Sequence, residues 1–420
     1  MARRIFILFI IILIIILVVF AVGRRVRQRR QEVAPQPTPP ISVPSGFSQE
    51  TLFNSGLKLM DFNFHNSATN KDEIITAAVW YPTDAEPQSF VYHDAEDYQS
   101  IVALNAPVSK KSAPYPLIIF SHGGYGSGYN AAYFMEYLGR QGYIVVAPDY
   151  IDTKPPDYTQ QIAFSRIKTG NAGNPLQILR IVGQFAKDMN NDREFFLSYL
   201  AEHRLNHTSF VISKMIELNK DSESIFYQSI KEDAIGISGH SLGGVTILGK
   251  IGAHPDKEFE DNRIRAALIF SGGVYPFENN IGSIDIPIII MAGNNDEPMN
   301  PTVPRRVLYD KVKPPKFYLV LKDATHFVFG NSGCGKNPLY QAVEIVPQTS
   351  AIARYGAAFF NRYLKNDLSA SEQLNKTDPA LAYYIKEEKS GEASEWGKEP
   401  TPGKGGPGGI LKEIIKRRFQ

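Results

Sequence analysis

The chain has 420 residues, 43% of them hydrophobic and 21% charged, enough to bury a sizeable core. Its one cysteine, Cys334, excludes an intramolecular disulfide framework and a cysteine-rich metal site. The formal net charge of +2 is unevenly spread: residues 1–32 carry +6 and residues 410–420 carry +3, which leaves −7 for residues 33–409, a poor balance for binding nucleic acid.

Ile5 to Val22 is an unbroken apolar run. At about 1.5 Å per residue its helix measures about 27 Å, close to a hydrocarbon core. Residues 1–23 are therefore expected to be a transmembrane anchor that places the protein on a membrane as a single-pass species. The rival is a signal peptide cleaved at Ala21-Val22-Gly23. The run is long for that role, and Arg24-Arg25 follow the cleavage site at once. Arginines flank the run on both sides, more of them after it, so the side of the membrane that holds the body stays open. Residues 24–50 read as a basic and then proline-rich linker, with Pro35, Pro37, Pro39, Pro40 and Pro44 favouring an extended spacer.

From residue 51 to 373, short β-branched runs alternate with helical patterns. The strands are expected at Ile74–Tyr81, Leu117–Ser121, Ile144–Ala147, Ala234–Ser238, Ala266–Phe270, Ile286–Ala292 and Phe317–Leu321. The helices are expected at Ala131–Arg140, Leu176–Met189, Leu242–Gly252 and Ser350–Leu364. Continuous apolar runs such as Ile286-Pro287-Ile288-Ile289-Ile290-Met291 suit parallel strands covered on both faces. The fold class is thus α/β, a mostly parallel, doubly wound sheet with ligands beyond the carboxyl ends of its strands. Residues 192–230 interrupt the alternation and read as a helical insertion over those ends. His203 and His207 stand one helical turn apart in it, but no zincin glutamate and no third ligand accompany them, so they are expected to be exposed helix residues. Residues 374–420 read as a flexible tail ending in a short basic amphipathic segment, which is either a solubilising end or a surface for anionic membrane.

Gly239-His240-Ser241-Leu242-Gly243 matches G-x-S-x-G and stands between a strand and a helix. A serine on such a turn needs strained backbone angles, and its neighbours must be glycines because no Cβ fits beside it. A serine hydroxyl is a weak nucleophile until a base takes its proton. Asp296, after the strand Ile286–Ala292, and His326, after the strand Phe317–Leu321, follow Ser241 in the chain order this arrangement demands. Asp323, Glu297 and Asp285 are nearby carboxylates that fit the geometry less well. Oxyanion stabilisation then falls to the backbone N–H of Leu242 and a second donor in Ser121-His122-Gly123-Gly124-Tyr125-Gly126, Gly124 in preference to Tyr125. Phosphate-loop spacing is absent there, no cofactor or metal is implied, and Cys334 reads as a plain loop cysteine.

Val79-Trp80-Tyr81-Pro82, Phe120-Ser121-His122-Gly123, Gly142-Tyr143-Ile144-Val145-Val146-Ala147-Pro148-Asp149, the GHSLGG elbow and Thr325-His326-Phe327 together resemble α/β-hydrolases. The nearest resemblance is to the platelet-activating-factor acetylhydrolase and dienelactone-hydrolase-like group, with cutinase-type esterases adjacent. It covers roughly residues 51–366 and implies an α/β-hydrolase domain that cleaves carboxylic esters without a cofactor, acting on a small-molecule or lipid ester. Two departures stand out. In the acetylhydrolases the acid follows the strand after the elbow, where this chain has Phe270-Ser271-Gly272-Gly273; dienelactone hydrolases use a cysteine where this chain has Ser241. A peptidase of the same fold and a non-catalytic, membrane-proximal binding protein are the alternatives.

Overall fold

The computed structural model describes residues 52–150 and 192–400, apart from positions 68, 95, 125 and 298. Its centre is a sheet of twelve strands: β1 (Asn54–Asn66), β2 (Lys71–Thr83), β3 (Gln88–His93), β4 (Asp97–Leu104), β5 (Tyr115–Ser121), β6 (Ile144–Pro148), β7 (Ile230–His240), β8 (Ile264–Phe270), β9 (Ile288–Gly293), β10 (Lys316–Leu321), β11 (Leu381–Glu387) and β12 (Ala393–Gly397). Their spatial order is β12-β11-β10-β9-β8-β7-β5-β6-β2-β1-β4-β3. The helices are α1 (Ala132–Arg140), α2 (Arg193–Leu200), α3 (Asn206–Lys220), α4 (Leu242–Leu248), α5 (Leu339–Ile345), α6 (Pro347–Leu364) and α7 (Ala370–Asn375).

The central strands, β10-β9-β8-β7-β5-β6, are parallel, and every one of the seven strands expected from apolar runs is present. Their side chains alternate between two cores. Leu117 and Ile119 of β5 face one core with Leu200, Val211 and Ile247; Ile118 and Phe120 face the other with Phe134 and Phe359. Burial on both faces is why these strands read as unbroken apolar runs.

The expected fold class needs correction in its sheet and in its appended helix. The sheet is mixed: β2 pairs antiparallel with β6, β1 with β2, β3 with β4, β11 with β10 and β12 with β11. Moreover, no helix among the described residues is long and apolar enough to cross a membrane. The anchor expected over residues 1–23, and with it the single-pass membrane placement, falls outside the described residues and gains no support. The linker 24–50, the helix Leu176–Met189 and the basic segment 410–420 also lie outside them. Within the tail expected over residues 374–420, Leu381–Glu387 and Ala393–Gly397 instead form β11 and β12. The pairing of β12 is with the backbone of β11, and all of its residues are exposed.

A buried polar chain ties the antiparallel extension to the helical layer. Trp80 Nε1 donates to the Tyr92 hydroxyl (2.9 Å), which donates to Glu136 Oε1 (2.7 Å); Ser100 Oγ donates to Glu136 Oε2 (2.7 Å). These bonds link β2, β3, β4 and α1. Burial dominates the Glu136 carboxyl and pushes its pKa up from 4.5 to about 7, against the opposing pull of Arg140 and the two hydroxyl donors. The folded chain therefore holds a proton that the unfolded chain releases, so stability falls as pH rises through the window between those values and levels off above it. Glu136→Gln should flatten that part of the stability profile, as measured by denaturant midpoints across the window.

Candidate active site

β7 ends at His240, and Ser241 occupies the turn into α4 with φ 55° and ψ −117°, a conformation that costs a non-glycine residue about 1–3 kcal/mol. Its N–H donates to Phe270 O at the end of β8 (2.9 Å), and its carbonyl accepts from Gly244 N (2.9 Å). The glycines around it are demanded by contact. A Cβ on Gly243 would sit 1.9 Å from Ser121 O, and one on Gly239 would sit 2.7 Å from the same atom. The end of β5 thus lies directly against the elbow, leaving the Ser241 side chain partly open to solvent.

The loops after β9 and β10 are closed on one another, since a Cβ on Gly293 would fall 2.2 Å from Ala324 O. That closure brings Asp296 to His326. His326 Nδ1 lies 3.0 Å from Asp296 Oδ2 and 3.2 Å from Oδ1, and both residues are buried. Asp296 Oδ1 also accepts from Met299 N (2.8 Å), which fixes the carboxylate plane. The other carboxylates stand apart. Glu297 and Asp323 are exposed, and Asp285 pairs with Lys313 at 3.2 Å. The position after β8, where the acetylhydrolase pattern puts its acid, is Ser271.

The Gly-rich loop after β5 packs on the elbow. A Cβ on Gly123 would be 3.4 Å from Ser241 Cβ, and one on Gly124 3.5 Å from Leu242 Cδ2. Gly124 and Leu242 are thus neighbours, while Tyr125 lies outside the described residues. Three further residues shape this corner. His240 Nε2 donates to His326 O (2.9 Å), pinning the backbone of the histidine loop to the elbow. Burial holds the His240 imidazole well below its ordinary pKa, and its Nδ1 has no hydrogen-bond partner among the described residues. His122 accepts from Tyr150 N at Nε2 (2.9 Å), which leaves its Nδ1 proton to donate to Gly123 O (2.7 Å). Arg204, fully buried in the π-turn Ala201–Leu205 between α2 and α3, reaches the same loop. His240 and His122 are visible inside the two motifs; no sequence signal marks Arg204.

The insertion is thus a packed element. Leu200, Leu205, Val211, Ile212 and Met215 belong to one of the cores. His207, expected to be exposed, is buried: Nδ1 donates to His203 O (2.6 Å) and Nε2 bonds Glu73 Oε2 (3.0 Å). No group of three metal-ligating side chains occurs among the described residues. Cys334 is buried beside Tyr133, and burial raises its thiol pKa far above the ordinary value, away from reactivity.

No family model matches the chain. Over 235 residues it is 25% identical to a platelet-activating factor acetylhydrolase of Cavia porcellus, a stretch that covers 54% of this chain. The chain spans about half the length of that relative. The contact of Gly243 with Ser121 O yields a test of the elbow: Gly243→Ala should lose at least about 1–3 kcal/mol of stability through overpacking against rigid backbone, as read by chemical denaturation. The likeness is distant, and it is to a hydrolase of the esterase kind.

Proposed function

We propose that the protein hydrolyses carboxylic esters through an acyl-enzyme on Ser241. The observation that carries this reading is the buried His326–Asp296 pair on the loops after β9 and β10, in a loop whose His326 carbonyl is bonded by His240, the residue just before the positive-φ Ser241 of the strand-to-helix turn. In this scheme, Ser241 Oγ attacks the ester carbonyl carbon as its proton passes to His326 Nε2, and the carbonyl electron pair moves to oxygen. Asp296 accepts from Nδ1 and stabilises the imidazolium. The N–H groups of Leu242 and Gly124 receive the oxyanion. Collapse expels the alcohol, which takes the proton from His326. A water then gives its proton to His326 as its oxygen adds to the acyl carbon, and collapse expels Ser241 Oγ, which takes that proton back from His326 and releases the acid.

The acetylhydrolase likeness favours a short acyl chain on a small or lipid alcohol. On p-nitrophenyl acetate and butyrate, Ser241→Ala, His326→Ala and Asp296→Asn should each lose roughly 10⁴-fold or more in kcat with the fold intact. Wild-type turnover retained by Ser241→Ala or His326→Ala would remove the mechanism. A peptide panel run beside the esters separates a peptidase, and failure of a fluorophosphonate to label Ser241 would indicate a non-catalytic pocket.

A further inference from the structure

Two successive backbone carbonyls of the loop after β5 converge on one buried cation. Arg204 Nη1 donates to His122 O (2.6 Å), and Nη2 donates to Gly123 O (3.3 Å). The Gly123 carbonyl also accepts from His122 Nδ1 (2.7 Å) and from Gly126 N (3.1 Å). Across a planar trans peptide the N–H points opposite to the C=O. Carbonyls 122 and 123 drawn to the same guanidinium therefore leave the N–H groups of Gly123 and Gly124 directed away from it. Successive N–H groups facing one side form a concavity suited to an anion.

The cation is itself held firmly. Its guanidinium carbon lies 4.7 Å from the centroid of the Tyr150 ring. The Tyr150 hydroxyl bonds Thr208 Oγ1 (2.8 Å), which donates to Arg204 O (2.7 Å). The Tyr150 N–H, in turn, fixes the tautomer of His122 that donates to Gly123 O. Arg204, Thr208, Tyr150 and His122 thus close a ring of bonds around the Gly123–Gly124 peptide. The rigid planar fork presents two N–H groups to neighbouring carbonyls in a fixed geometry that a compact lysine ammonium on a flexible stem reproduces only in part.

We infer that Arg204 is a positioning residue for the oxyanion hole: the inserted helical segment sets the direction of the Gly124 N–H through the carbonyls of His122 and Gly123. The inference rests on the ester-hydrolase reading and adds to it the element that preorganises the second donor. Its bonds to the loop end on the carbonyls of His122 and Gly123, so it acts through the peptide. Its removal frees the peptide to turn, so the loss falls on the transition state more than on ground-state binding.

The test compares wild type, Arg204→Gln and Arg204→Lys on p-nitrophenyl butyrate, with kcat normalised to fluorophosphonate-titrated sites. Arg204→Gln should lower kcat about 10- to 100-fold, somewhat less than outright removal of an oxyanion donor, with KM within about threefold. Affinity for a trifluoromethyl ketone, which forms the tetrahedral adduct, should fall by the same factor as kcat. Arg204→Lys should recover only part of both. If Arg204→Gln does not fold, Arg204→Lys decides; if neither folds, Tyr150→Leu, which removes the ring under the guanidinium, should show the same paired loss in weaker form. Per-site kcat and ketone affinity within threefold of wild type in the folded variants would overturn the inference, as would a loss confined to the yield of folded protein or to KM. A wild-type protein that neither turns over esters nor is labelled at Ser241 would instead sink the hydrolase reading itself.

Discussion

The close approach of the end of β5 to the start of α4 is the constraint on which the rest of the site depends. With Ser121 O pressed against the Cα positions of Gly239 and Gly243, the chain can leave β7 only by the strained turn at Ser241. The neighbouring strand meets the same turn, because Phe270 O receives the Ser241 N–H. Strain of this kind persists when surrounding structure over-determines it. Here the surrounding structure is the six-stranded parallel centre, whose strands are sealed on both faces and yield little.

Around that fixed point the groups of the candidate site arrive from separate loops, each secured to backbone. His240 fastens the His326 loop, Gly293 admits the Ala324 carbonyl, and Met299 N–H orients Asp296. Most of these contacts are made with main-chain atoms. Positioning by main chain needs few side chains of particular identity, and that shapes what a reader of the sequence can see.

The parallel strands and the Ser241, Asp296 and His326 positions were legible because each has a local signature: a doubly buried apolar run, a glycine pattern around a serine, an acid and a histidine just past successive strands. The antiparallel edges were not. In β12, Ala393-Ser394-Glu395-Trp396-Gly397 buries no side chain, so no hydrophobic period exists to be read; the strand is there because β11 offers an unpaired backbone edge. Near the front of β7, Lys231-Glu232-Asp233 is polar for a similar reason, since none of the three is buried between Ile230 and Ala234. The insertion misled in the other direction. Arg204 and His207 look like the polar face of an exposed helix, yet their partners lie in β2 and in the loop after β5, far away along the chain. A buried polar residue whose bonds are all long-range or to carbonyls has the same appearance in sequence as a solvated one.

The location of Arg204 in the π-turn between α2 and α3 bears on how this protein can be remodelled. In many enzymes a segment laid over the strand ends can be exchanged to change the shape of the cavity while the chemistry beneath is left alone. Here that separation of tasks is lost. The inserted stretch is bonded into the glycine loop, through Arg204 to His122 O and Gly123 O. A graft of a foreign cap would take the guanidinium with it, so under the ester-hydrolase proposal substrate range and turnover would change together.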